Sequence, residues 1–154
     1  MKATDIPRLN LPPYQAKIKI VDGKPKVLDI LRRRFVALTP EEWVRQNFVN
    51  YLISYKGYSS ALMNNEVMLS FNGMTRRCDS VLYTNTLVPK MIIEYKAPNI
   101  GITQKVFDQI CRYNMVLHVE YLIISNGMNH YCCKINYESQ TYTFLEEIPL
   151  YEEL

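Results

Sequence analysis

Two spacings of apolar residues alternate along the chain. Residues 16–21 (AKIKIV) interleave apolar side chains with lysines one by one, the period-two pattern of a half-buried strand. Asp22-Gly23 then supplies a hairpin turn and predicts a returning strand over 27–31. Beyond it the spacing lengthens. Val44, Phe48, Tyr51, Leu52 and Tyr55 recur at three- and four-residue intervals and form one helical stripe. That helix has marked ends: Thr39 as N-cap, Pro40 in the first turn, Glu42 to complete a capping box, and Gly57 just past about Lys56. Period two then returns. Strands are predicted within 60–71, 76–83 and 88–97, joined by turns at Asn72-Gly73 and Thr84-Asn85-Thr86 that suit antiparallel hairpins. A second helix is predicted over about 103–118, with Val106, Ile110, Tyr113 and Leu117 as its stripe. The run YLIIS, 121–125, is apolar throughout and reads as a strand buried on both faces. Asn126-Gly127 turns into a strand over 129–136, and 141–145 supplies an edge strand.

A helix between the third meander strand and YLIIS is a crossover, which makes those two strands parallel neighbours. The expected fold is α/β: a mixed β-sheet flanked by helices. One domain is expected over 1–154, with 1–15 as an extended arm carrying Pro7, Pro12 and Pro13.

Composition narrows the class. With 48% hydrophobic and 21% charged residues the chain is expected to pack rather than stay disordered. No apolar run approaches the roughly 20 residues that span a bilayer. The start, MKATDIPRLN, lacks the apolar segment of a signal peptide. A cytoplasmic location without membrane contact is therefore expected. Four cysteines and two histidines offer no C-x-x-C and no zinc pattern, and they fit reduced, buried thiols. A net charge of +3 does not by itself announce nucleic acid. Arg32-Arg33-Arg34 and Arg76-Arg77 are local clusters that suit either phosphate contacts or a solvated face.

The candidate chemistry lies in MIIEYKAP, 91–98. An apolar run of core type carries Glu94 and Lys96 two residues apart, hence on one face. In the preceding strand Arg77, Asp79 and Val81 share a face, with Cys78, Ser80 and Leu82 opposite. Pairing Tyr83 with Pro89 and counting back puts Asp79 near Ile93, within one residue of Glu94. Two carboxylates so close repel unless a cation joins them. Lys96 offers one charge, and a divalent ion would offer two and bind both acids. The spacing also fits a plain Glu–Lys ion pair at a strand end. Gln109, one turn before Tyr113, is expected to face the sheet near the same place, or to bond its helical neighbours.

In this order the residues resemble the PD-(D/E)xK nuclease superfamily, and more narrowly the N-terminal domain of type I restriction enzyme R subunits. The resemblance is carried by residues 33–36 (RRFV) and 38–46 (LTPEEWVRQ), then Arg77-Cys78-Asp79, then Ile93 to Pro98. It continues through Asp108-Gln109 to Tyr113-Asn114 and Ser125-Asn126-Gly127, so that about Asp29 to Tyr131 is covered. It implies that the mixed sheet and its helices are restriction-endonuclease-like, and that the chain is a Mg²⁺- or Mn²⁺-dependent DNA endonuclease. Asp79 and Glu94 would bind the metal and Lys96 would position the attacking water. Glu42 would be the assisting helix acid and metal ligand, although its capping role explains it equally. Gln109 and Tyr113 would support the site or the DNA backbone, and Arg77 with Arg76 would hold phosphate. Cys78 stands where the motif's proline would be. The chain has no G-x-x-x-x-G-K-[ST] nucleotide loop. A stand-alone nuclease, a split subunit or an excised domain would fit, with DNA and other restriction-system subunits as partners. The alternative is a non-catalytic DNA-binding or assembly module that retains the nuclease fold.

Overall fold

The apolar run at 121–125 lies inside a six-stranded sheet. The computed structural model describes residues 5–154, and the first four residues of the predicted arm lie outside the described residues. Three strands form a small antiparallel sheet: β1 (Ile18–Val21), β2 (Lys24–Asp29) and β3 (Arg34–Ala37). Helix α1 (Pro40–Tyr55) follows. The large sheet holds β4 (Met63–Phe71), β5 (Met74–Tyr83), β6 (Pro89–Tyr95), β7 (Tyr121–Ser125), β8 (His130–Asn136) and β9 (Thr141–Leu145), side by side in chain order. Helix α2 (Gln104–Met115) joins β6 to β7, which pair in parallel as a crossover requires, while every other neighbouring pair is antiparallel. The α/β class therefore stands. It is built on two sheets rather than one, because β3 adds to the first hairpin.

Alternation along β6 and β7 feeds two cores. Met91, Ile93, Tyr95, Tyr121 and Ile123 join Val44, Phe48, Val49 and Leu52 of α1. Ile92, Leu122 and Ile124 join Phe107 and Cys111 of α2 on the other face. All four cysteines are free and buried. Among the described residues no helix is long and apolar enough to cross a membrane.

Both helices depart from expectation in one respect. Thr39 caps α1, its Oγ1 accepting the Glu42 N–H at 3.1 Å. The Glu42 carboxylate does not reach back to close the box, because arginines claim it. In α2 the buried residues are Phe107, Cys111 and Asn114, while Gln109 and Tyr113 are exposed. The helix is turned about one residue from the predicted stripe. Phe107 sets that rotation, since its ring packs on Phe144 at 4.7 Å and Tyr142 at 5.4 Å. Buried Asn114 donates its amide to the Ile110 carbonyl at 2.9 Å, while its own side-chain oxygen has no partner among the described residues.

The arm is extended but anchored. Asn10 N–H donates to the Gly127 carbonyl at 2.9 Å, and the Trp43 indole donates to the Pro7 carbonyl at 3.0 Å. Gly127 has φ +83, and a Cβ there would lie 2.7 Å from Leu9 Cδ2. Both the backbone and the close approach require glycine. Gly127→Ala is expected to cost on the order of 1–2 kcal/mol and to free the arm. Thermal unfolding together with amide exchange at Asn10 checks this. An unchanged midpoint with full Asn10 protection would refute it.

Candidate active site

The site begins with a break in strand pairing. Between β5 and β6 Tyr83 faces Pro89, but Leu82 faces Met91 and Ser80 faces Ile93, a one-residue shift. Continued by one step, this register sets Asp79 beside Glu94 rather than Ile93. The two carboxyls lie close enough for the Asp79 charge to act directly on Glu94. Tyr95 N–H donates to Asp79 Oδ2 at 2.9 Å, so the carboxylate takes a bond a backbone carbonyl would otherwise accept. Lys96 leaves the end of β6 with its N–H on the Ser125 carbonyl at 2.9 Å.

Glu94 is the unresolved charge of the structure. Its Oε1 is buried without a hydrogen-bond partner. Burial, and then the adjacent Asp79 charge, push its carboxyl well above the usual carboxylate range. Lys96 opposes that rise, and Glu66 adds to it.

The β4–β5 ladder opens at the same level. Asn65 faces Ser80 and Val67 faces Cys78, with no pair between them at Glu66 and Asp79. Glu66 is left-handed, at φ +57. Arg45 Nη1 enters this gap, donating to the Asp79 carbonyl at 2.8 Å and to Glu66 Oε1 at 2.7 Å. Arg77 closes the other side, holding Glu66 Oε2 through Nε and Nη2 at 2.7 Å each. Burial raises the Glu66 carboxyl, but the two guanidiniums outweigh it and hold the group below its ordinary value. The opening also breaks the face alternation expected of β5. Cys78 joins the α2-side core with Val81, whereas Leu82 joins the α1-side core and Ser80 bonds Tyr95 there.

Glu42 does not join the acidic pair. Arg45 holds it at 2.8 and 2.9 Å, Arg32 Nη2 at 2.6 Å and Gln46 at 3.1 Å. With two guanidiniums neutralising it, Glu42 fixes Arg45 instead of facing a metal position. Arg32 also pairs with the fully buried Asp29, so it is no solvated patch. Gln109 and Tyr113 are likewise not drawn in. Tyr113 receives Arg76 over its ring at 4.6 Å, and neither side chain bonds Asp79, Glu94 or Lys96 among the described residues. Two residues escaped the sequence reading. Arg45 was legible as the i+3 partner of Glu42. Glu66 had only a faint signal, in the poor strand formers Asn64-Asn65-Glu66.

Among the described residues no three His, Cys, Asp or Glu side chains gather as a metal-binding group. The donor set is two carboxylates with one oxygen unsatisfied, which fits Mg²⁺: such ions take one or two carboxylates and fill the remainder with water and phosphate.

Because folded Glu94 binds its proton more tightly than the unfolded carboxyl does, folding takes up a proton as pH rises above the ordinary 4.5. The resulting cost grows with pH. Glu94→Gln is therefore expected to raise the melting temperature of the metal-free protein, by a margin that is small near pH 4 and widens toward alkaline pH. Parallel melting curves for the two proteins would count against this.

Residues 40–149 match the family described as type I restriction enzyme R protein N terminus (HSDR_N). A fragment of a protein assigned as an HsdR subunit of a type I restriction enzyme, from Vibrio vulnificus YJ016, shares the fold. Its TM-score is 0.53, at 19% identity over 76% of this chain and 24% of that one. The chain thus spans about a quarter of that structure's length. Among curated proteins nothing matches.

Proposed function

Since the chain belongs to the family of type I restriction enzyme R protein N-terminal domains, we propose that it is a Mg²⁺- or Mn²⁺-dependent DNA endonuclease of the PD-(D/E)xK kind. The observation that carries this reading is Glu94 Oε1, buried and unpartnered, on a carboxyl that the β5–β6 register sets beside Asp79 and two residues before Lys96. A buried acidic pair stays neutral on one side only by holding a proton, and a divalent cation can take the place of that proton.

Asp79 and Glu94 would hold the cation. When bound, it would supply positive charge beside a phosphodiester and make water more acidic. Asp79 is kept in place from both ends, by Tyr95 N–H at its carboxylate and Arg45 at its carbonyl. Glu94, which holds its proton in the metal-free protein, would release it to solvent on holding the cation. Lys96 then orients the attacking water and offsets charge growing on the phosphate. Arg77, two residues before Asp79 and with 68% of its side chain exposed, would take the DNA backbone, and the Arg76–Tyr113 pair would add a contact away from the acids. DNA and the other subunits of a restriction system are the partners this reading implies.

Calorimetry with Mg²⁺ and Mn²⁺ tests it. Wild type is expected to bind one ion saturably, to release a proton on binding, and to bind more tightly as pH rises. Asp79→Asn, which keeps an acceptor for Tyr95, is expected to abolish binding. Lys96→Ala is expected to keep the melting temperature within a few degrees while lowering cleavage of duplex DNA by about a hundredfold or more. If neither ion binds and Asp79→Asn is silent, the chain is instead a DNA-binding or assembly module on a nuclease fold.

A further inference from the structure

Glu66 is an anomaly that the endonuclease reading leaves unused. It is a strand residue at φ +57, a conformation that costs on the order of 1 kcal/mol for a side chain of this kind. Its backbone makes no pair with Asp79. What holds it is a pair of guanidiniums, Arg45 on one oxygen and Arg77 on the other, all at 2.7 Å. Two arginines converging on two oxygens of one anion is the geometry by which proteins bind phosphate, and a carboxylate offers them the same oxygens.

Resting on the endonuclease reading, we propose that Arg45 and Arg77 form a phosphate subsite beside Asp79 and that Glu66 is its internal occupant, displaced when a phosphate of a nucleic-acid backbone arrives. Arg45 is the fixed wall. Glu42 clamps its Nε and Nη2, and the same Nη1 that holds Glu66 also bonds the Asp79 carbonyl at 2.8 Å. An anion replacing Glu66 therefore sits at a set place relative to the acidic pair. Arg77 is the mobile wall, with most of its side chain exposed. Glu66 can leave because no ladder bonds bind it to β5 and because departure relieves its backbone. The exchange of carboxylate for phosphate keeps both guanidiniums paired throughout. It frees the Glu66 charge only when a ligand has taken its place.

The test follows the arginine Nε–H resonances of the full chain by NMR during titration with inorganic pyrophosphate. Wild type, Glu66→Gln and Glu66→Gly are compared; glycine suits the φ of this position and keeps the experiment decisive should glutamine impair folding. Glu120→Gln serves as the control of equal charge change. It releases Lys90 and Lys134, which Glu120 pairs at 2.6 and 3.2 Å on another part of the surface. The Arg45 and Arg77 signals are expected to saturate at a concentration at least about tenfold lower in the Glu66 variants than in wild type. Glu120→Gln should behave as wild type. Equal affinities in wild type and both Glu66 variants would overturn the proposal, as would a gain of equal size in the control. Metal binding at Asp79 is scored separately. A metal site without the phosphate gain sinks only the subsite, and a phosphate gain without metal binding sinks only the endonuclease reading.

Discussion

A single buried guanidinium, that of Arg45, links the three parts of the molecule on which the site depends. It is 8% exposed, and a charge so placed is tolerated only when its donors are satisfied. Its donors go to α1 itself through Glu42, to β4 through Glu66 and to β5 through the Asp79 carbonyl. The small sheet is attached through the same partner, since Arg32 bridges Glu42 and Asp29 at the end of β2. Removing Arg45 would leave Glu42 short of a counter-charge in the interior and leave the gap in β5 unfilled. Of all the side chains, this one turns a break in strand pairing into a defined shape.

A second chain of bonds, passing through neutral side chains between two carboxylates, runs beside the ionic one. Asp29 accepts from Asn65, whose oxygen accepts from Ser80 at 2.6 Å, and the Ser80 hydroxyl accepts from the Tyr95 phenol at 2.9 Å. Tyr95 then donates its backbone N–H to Asp79. Every member but Asp79 is buried. Such a network has one low-energy arrangement, because any shift strands a polar group in the core. It fixes Asp79 without needing Asp79 to be stable there on its own account.

The elements were legible because they are written in local chemistry. Asp22-Gly23, Asn72-Gly73 and the Thr39-Pro40 start each dictate a turn or a helix end within a few residues. The parallel pairing of β6 and β7 followed from the intervening helix alone. Asp79 and Glu94 could be named as neighbours from a turn count between two strands, and Glu94 with Lys96 from the period of one strand. What stayed hidden depends on partners far away in sequence. The capping box of Glu42 lost to arginines that only the fold delivers. The rotation of α2 was decided by Phe107 meeting β9, and a period count within one helix contains no such information. The shift at Leu82 and Tyr83 improved on the counted register by one residue, and bulges leave no fixed mark in composition.

These failures cluster where the site is. Local rules and the global fold agree through most of this chain, as they must for one structure to dominate. At Glu66 the backbone is strained, at Asp79 the ladder is open, and at Glu94 a carboxyl sits beside another with an oxygen unpaired. Each costs stability, and they lie at one level of three adjacent strands, β4, β5 and β6. A purely structural Glu94–Lys96 pair would account for one of the three. It gives no reason for the ladder to open at Asp79, or for two arginines to be held on a strained glutamate at the same level. Strain concentrated around an acidic pair, with rigid β6 and β7 behind it, is what a protein retains when the groups must meet something from outside.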